Sequence, residues 1–394
     1  MLIKKTLRLI ILFLLNPVYL IASLTPKDEN IWLFSAWNGK KFLDSPKYVF
    51  KYLLSNNGAI CAIWVAKDKT LYNEMVAQGF PVAYAYSLRG LYLQMRAGIV
   101  VFTHSVEWDF VASFVGYTTK RVQTWHGIPL KKIGYDNKKD GNQRLKELIR
   151  LIILPFTTVR LDLVIAASEV DKAHLQSAFG VTSNKVRVTG YPRNDSLVGK
   201  TPNGSHDNNR IKRIIYMPTF RGNVGSEFKL LIASGFDFKK VDALLKDLNL
   251  ELYIKLHPVQ VFSKEDTEQI AKSSCIKAIL NHGDIYEHLH NYDVLITDFS
   301  GIFFDFLITG KPIIMAPINM DTYLHEDREL YYNYEAICPD TPCMHWDEVL
   351  NKIIDVCKED YLQSNRYTAL QKKFHTYLDA MSSRRVVREL ASIT

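Results

Sequence analysis

Cysteine is scarce. Five stand in 394 residues, Cys61, Cys275, Cys338, Cys343 and Cys357. No two form a Cys-x-x-Cys pair, so neither a zinc site nor a disulfide framework is indicated, and the odd, scattered set fits a reducing compartment. The sequence has no Walker loop, no Gly-x-Gly-x-x-Gly and no Asp-x-Asp at the end of an expected strand. The familiar glycine loops and the acidic metal pair that hold nucleotide phosphates are therefore missing. Internal repeats and long low-complexity tracts are missing too. Negative charge is in deficit: 41 acidic residues against 49 Lys and Arg leave +8. A polyanionic partner fits that balance, whether acidic lipid or a phosphorylated substrate. Nucleic acid ranks last, because the basic residues lack interleaved aromatics and no binding motif is present.

What is present describes an α/β protein. A hydrophobic fraction of 47% is enough for real cores, and the length suggests two or three domains. Residues 1–24 begin basic (Lys4, Lys5, Arg8), turn apolar, and are interrupted by Asn16 and Pro17. A cleaved signal peptide, a spanning helix and an interfacial helix all remain open there. From residue 27, strands expected at 31–37, 60–66, 98–104, 120–125, 162–167 and 185–189 alternate with helices at 46–54, 70–78 and 169–178. Ser168 should cap the last of these, with Asp171 at a capping-box spacing. That alternation means parallel pairing through crossover helices. An insert at 131–160 is basic, and Leu145, Leu148, Ile149 and Ile152 recur in it at helical spacing. It reads as a membrane-surface helix or as an ordinary packed one. Residues 201–210 are polar and turn-rich and read as a linker. A second alternation follows: strands at 213–217, 250–256, 292–297 and 312–316, and helices at 241–248, 284–290 and 302–309. From Trp346 onward the chain reads as helical.

The chemistry gathers just after strands. Residues 120–125 run into Trp125-His126-Gly127-Ile128-Pro129-Leu130-Lys131. Gly and Pro end the strand and leave His126 in the loop at its carboxyl end, where open α/β sheets bind ligands. A histidine there, beside cations, is placed to move a proton next to an anionic substrate. A histidine satisfied by a turn carbonyl is the plain alternative. His104 closes the strand at 98–104 and reads first as an ordinary polar strand end. Four more strand ends carry Gly190-Tyr191-Pro192-Arg193-Asn194-Asp195, Pro218-Thr219-Phe220-Arg221, Lys255-Leu256-His257-Pro258 and Asp298-Phe299-Ser300-Gly301, the last opening toward Asp305. Together they describe a lining for an anion. Ser300 offers a hydroxyl and Gly301 a close backbone approach. Lys255 and Arg221 are placed to neutralise a diphosphate. Asp298 or Asp305 is placed either to accept from a ribose or to cap a helix.

These five motifs, in order and over nearly the whole chain after residue 27, resemble the CDP-glycerol glycerophosphotransferase family of teichoic-acid primases, polymerases and capsule relatives. The resemblance implies a GT-B fold, two Rossmann-like domains with parallel sheets facing a central cleft. It places a membrane-associating segment at 1–26 and an acceptor domain at 27–200. A CDP-glycerol-binding domain follows at 201–378, and a carboxyl-terminal helix at 379–394 crosses back. It implies transfer of glycerol phosphate from CDP-glycerol to a hydroxyl of a lipid-linked saccharide or glycerol-phosphate acceptor, with release of CMP and no metal or other cofactor. The implied catalytic histidines are His126, as base, and His257. Implied substrate contacts are Trp125, Gly127, Ile128, Pro129, Arg193, Pro218, Thr219, Arg221, Lys255, Leu256, Ser300, Gly301 and Asp305. Two residues depart from the family pattern: Ile128 where Thr is usual, and Gly301 where a second Ser is usual. A cytoplasmic nucleotide donor favours an interfacial 1–24 segment, or a single anchor, on an anionic inner membrane surface. CDP-ribitol transfer, a GT-B nucleotide-sugar glycosyltransferase, and a non-catalytic peripheral membrane protein that binds a phosphorylated ligand are the alternatives.

Overall fold

The computed structural model describes residues 13–394 other than 57, 138–149, 159, 200–209, 220–226, 229–234, 258–259, 281–282, 319–328 and 359–360. Arg221, Pro258, most of the linker reading, residues 1–12 of the amino-terminal segment and most of the amphipathic part of the basic insert lie outside the described residues. The chain divides into two units. One comprises Met1–His126, Ile133–Asp195 and Asp379–Thr394, the other Gly127–Lys132 and Ser196–Leu378.

The first unit is built on seven strands: β1 (Asp28–Phe34), β2 (Cys61–Ala66), β3 (Val82–Tyr84), β4 (Ala97–Phe102), β5 (Lys120–Gln123), β6 (Leu163–Ala166) and β7 (Val186–Val188). Their order is β3-β2-β1-β4-β5-β6-β7, and every neighbouring pair is parallel. Every residue of β4 and of β6 is buried, the mark of strands covered on both faces. The chain winds one way from β1 to β3 and then returns to the other side of β1 with β4. The reversal between β1 and β4 is the sheet's topological switch point. Helices of this unit include α1 (Asn16–Leu24), α2 (Asp44–Asn56), α3 (Lys69–Ala77), α4 (Leu88–Arg96) and α5 (Glu169–Phe179). Pro17 lies in the first turn of α1, where no N–H is needed, so it starts that helix instead of breaking it. Asp68, Ser87 and Ser168 cap α3, α4 and α5 by accepting backbone N–H bonds. Asp171 departs from a capping box. Its Oδ2 accepts the N–H of Ala167, at 2.8 Å, and the hydroxyl of Tyr191, at 2.8 Å.

The second unit is smaller in sheet and similar in plan. Its main sheet holds β8 (Lys212–Met217), β9 (Leu250–Ile254), β10 (Ile276–Ala278), β11 (Val294–Thr297) and β12 (Ile313–Met315). The order is β10-β9-β8-β11-β12, again all parallel, with the switch point between β8 and β11. Around it lie α6 (Phe238–Asp247), α7 (Lys264–Lys272), α8 (Ile302–Phe306), α9 (Trp346–Val356) and α10 (Asn365–Phe374). Ile214, Leu252, Leu245, Ile296, Trp346 and Val349 form part of its core. The helix expected at 284–290 is two 3-10 turns, Ile285–Glu287 and Leu289–Asn291. The one expected at 302–309 is α8 followed by the 3-10 turn Leu307–Thr309, which ends at Gly310 with φ 69°. The last helix, α11 (Ser382–Ile393), packs on α2 of the first unit. Asp195 holds its start, accepting N–H bonds from Ser382 at 2.9 Å and Ser383 at 2.8 Å and the Ser383 hydroxyl at 2.7 Å.

Candidate active site

In the first unit, three neighbouring strands deliver aromatic rings at their carboxyl ends. Trp37 follows β1, His104 follows β4, and Trp125 and His126 follow β5. The Trp37 ring meets His104 edge-on at 5.3 Å and His126 at 6.4 Å, and the two histidine rings are 5.4 Å apart. Trp125 stacks on His126 at 4.0 Å and takes Phe179 of α5 against its other ring contacts at 5.2 Å. The backbone here is strained. Among the described residues six non-glycines have positive φ, and four of them are Trp37, Asn38, Asp44 and Trp125. Left-handed backbone at non-glycine residues costs on the order of 1–3 kcal/mol each and gathers at functional sites.

Buried charges hold these loops. Asp109, wholly buried, accepts N–H bonds from Asn38 at 2.7 Å, Thr103 at 3.0 Å and His104 at 2.9 Å, and so ties the end of β1 to the end of β4. Burial pushes its carboxyl above the usual range, while nearby His104 and those N–H groups pull it back. Asp44 takes the Trp37 indole N–H at 3.2 Å on Oδ2 and pairs through Oδ1 with Arg193 at 3.0 Å. Both members of that pair are buried, so each secures the other.

In the second unit, the three expected motifs stand at the ends of three adjacent strands: Pro218 and Thr219 after β8, Lys255, Leu256 and His257 after β9, and Asp298 to Gly301 after β11. The switch point between β8 and β11 is bridged by Thr219, whose N–H and hydroxyl donate to Asp298 Oδ1 at 2.7 and 2.5 Å. Tyr334 adds a bond from its hydroxyl to the Asp298 carbonyl at 3.0 Å. Burial pulls Lys255 below the ordinary lysine range, partly offset by Asp284, and burial also lowers His257. Asp305 has no exposed surface, and its Oδ2 accepts the Tyr286 hydroxyl at 2.7 Å. A ribose could reach that oxygen only if the tyrosine gave way. Asp298 is equally buried, so its carboxylate is committed to Thr219.

Gly127–Lys132 belongs to the second unit although His126 belongs to the first. Gly127 has φ 115°, open only to glycine without strain. The Ile128 carbonyl lies 3.1 Å from where a Cβ on Gly301 would stand. The two departures from the family pattern are thus neighbours in space. Leu130 accepts the N–H of Tyr331 at 2.9 Å, and Lys132 pairs with Glu329 at 2.6 Å. Of the expected site residues, Trp125, His126 and Arg193 lie in the first unit. Gly127, Ile128, Pro129, Pro218, Thr219, Lys255, Leu256, His257, Ser300, Gly301 and Asp305 lie in the second.

The family model described as CDP-Glycerol:Poly(glycerophosphate) glycerophosphotransferase matches residues 18–392. The chain belongs to that family. It is a phosphotransferase. A teichoic acid glycerol-phosphate transferase of Staphylococcus aureus is 25% identical, over 98% of this chain and 99% of its own length. A teichoic acid poly(glycerol phosphate) polymerase of Bacillus spizizenii is 27% identical, over 95% of each. The solved structure of the wall teichoic acid polymerase TagF matches with a TM-score of 0.76 at 22% identity, covering 99% of this chain and 97% of that one. The pair of parallel sheets is accordingly of GT-B type.

Against that family background, the sequence motifs omit Asp44 and Asp109, whereas the family pattern takes in the opening stretch 31–37 and so reaches Trp37. Asp44 and Asp109 also take partners from far along the chain, Arg193 and Asn38, and those pairings carry no local signal. Among the described residues no cluster of His, Cys, Asp and Glu is arranged to hold a metal ion, and no helix is long and apolar enough to cross a membrane.

Proposed function

We propose that the enzyme transfers glycerol phosphate from CDP-glycerol to a hydroxyl of a lipid-linked acceptor in teichoic-acid or capsule-like polymer synthesis. His126 takes the acceptor proton as the hydroxyl oxygen bonds to the outer phosphorus. The bond from that phosphorus to the bridging oxygen breaks, and CMP leaves with the oxygen. Positioning and electrostatics supply most of the rate in such transfers, and a general base adds ~10²–10⁴-fold. The observation that carries this reading is the placement of His126. It stands at the carboxyl end of β5, stacked on a left-handed Trp125, next to the switch point of a parallel sheet in a phosphotransferase.

The donor belongs to the second unit's strand ends. Lys255, His257, the Ser300 hydroxyl and the backbone at Gly301 receive its phosphates, with Pro218 and Thr219 beside them and Arg221 as a further cation. Gly127, Ile128, Pro129 and Leu256 shape the surroundings, Asp305 acts by holding Tyr286, and in the first unit Trp125 stacks on His126. Arg193 keeps the loop after β1 in place through Asp44, and no metal enters the mechanism. The acceptor is presented from an anionic membrane surface on the cytoplasmic side, where the enzyme is peripheral. Supporting this, α1 buries Tyr19 and Ala22 and leaves Leu20, Ile21 and Leu24 exposed at 60, 57 and 76%.

The test is nucleotide release by purified enzyme, CMP from CDP-glycerol or CDP-ribitol and UDP from UDP-sugars, offered in parallel with detergent-solubilised lipid extract as acceptor. Release from CDP-glycerol is expected. Turnover of UDP-sugars alone would replace the reading with a glycosyltransferase, and release from CDP-ribitol alone would change the donor.

A further inference from the structure

His104 lies outside every motif of the family resemblance, yet it occupies the first unit's switch point. It follows β4, directly across the reversal from Trp37 after β1. Both polar groups of its backbone are held. The backbone N–H donates to Asp109 Oδ2 at 2.9 Å, and the carbonyl accepts from Gln123 Nε2 at 2.7 Å. The ring packs between Trp37 and His126.

The ring's proton can be placed from its neighbour. Thr103 Oγ1 lies 2.8 Å from His104 Nδ1 and already accepts the Trp37 N–H at 3.1 Å. The hydroxyl proton has two acceptors within reach: that Nδ1, and Asp109 Oδ2 at 3.5 Å, an oxygen already taking two N–H bonds. Hydrogen bonding favours the short contact over one at the limit of range. A Thr103 hydroxyl that donates to Nδ1 leaves the neutral ring's proton on Nε2. Among the described residues Nε2–H has no hydrogen-bond partner, and the ring is only half-buried. Asp109, Lys67 beside it, His126, and the Asp44–Arg193 pair behind Trp37 are the charged or titratable groups around it.

We propose that His104 is a further catalytic histidine, held by Thr103 with Nε2–H outward, which donates to an oxygen of the phosphoryl group in transfer while His126 takes the acceptor proton. This rests on the reading of His126 as base. One donor aimed at developing oxygen charge is worth on the order of 10²–10³-fold in kcat. The side chains of Asn and Gln separate the two ring nitrogens: Asn reaches the Nδ1 position and Gln the Nε2 position.

The test compares His104→Asn, His104→Gln and His126→Ala in the full chain, by CMP release from CDP-glycerol with lipid extract, with thermal midpoints measured beside them. His104→Asn should lose on the order of 10²–10³-fold in kcat with little change in KM, and His104→Gln should recover at least ~10-fold of that. Equal activity in the two variants, at the wild-type level or at one reduced level, would overturn the assignment. A nearly unchanged His126→Ala would withdraw the base reading, and the Asn–Gln difference would still decide His104. Proton–nitrogen NMR of histidine-labelled enzyme, assigned through the His104 variants, reads the tautomer without any substrate. An Nε2–H tautomer supports the proposal, and an Nδ1–H tautomer contradicts it.

Discussion

Trp125 and Thr219 show how single residues do work that their own chemistry does not announce. Trp125 adopts φ 53° and stacks on His126, so the ring that reads as a substrate contact also fixes the proposed base. The family resemblance makes Thr219 a substrate contact. In the structure it spends both N–H and hydroxyl on buried Asp298. Thr219→Val keeps the shape and the N–H bond and removes the hydroxyl. An incompletely satisfied buried carboxylate should cost about 1–3 kcal/mol, read as a lowered urea midpoint. An unchanged midpoint would mean that Asp298 finds another donor. The motif residues were legible because strand ends, Gly and Pro mark them locally. Asp44, Asp109 and the Thr219–Asp298 bridge were not, since each depends on a partner brought close only by the fold.

Elements were most legible where an apolar run was long. The long apolar runs of β1, β2, β4 and β6 stood out, and their observed ends fall within a few residues of expectation. The sequence reading missed the edge strands β3 and β10, and the helices α4 and α7 with them. The amino-terminal segment shows the opposite problem. Its Pro17 reads as a break and proves to be a start, because a proline's missing N–H costs nothing in a first turn. The face of α1 left uncovered belongs to the proposed membrane surface. Ile152 of the basic insert is also exposed, at 82%, and Asn16 Nδ2 donates to the neighbouring Ile153 carbonyl at 2.9 Å. Replacing Leu20, Ile21 and Leu24 together by Glu should abolish co-sedimentation with anionic vesicles and leave the melting temperature nearly unchanged. Undiminished sedimentation would remove α1 from that surface.

At the scale of the whole molecule, two parallel sheets each place their site at a reversal of winding, β1 to β4 in one unit and β8 to β11 in the other. The fold class was legible because strand–helix alternation admits few alternatives. Global stability should carry a histidine signature. Burial lowers both His257 and His375 from the ordinary 6.5, and His375 Nε2–H donates to the Phe304 carbonyl at 2.6 Å. Below 6.5 the unfolded chain therefore binds more protons than the folded one. The stability tied to these two histidines is complete above 6.5 and falls as pH drops beneath it. The urea midpoint should be lower at about pH 5.5 than at about pH 7.5, and His375→Gln should narrow that gap. A gap unaltered by the substitution would place the acid sensitivity elsewhere.

The central claim is that His126 drives transfer of glycerol phosphate, and mass spectrometry of the lipid-linked acceptor after incubation with CDP-glycerol tests it most directly. Wild-type enzyme should add the mass of glycerol phosphate to the acceptor, and folded His126→Ala should do so ~10²–10⁴-fold more slowly. No such increment from the wild type, or an equal rate from the variant, would contradict the account.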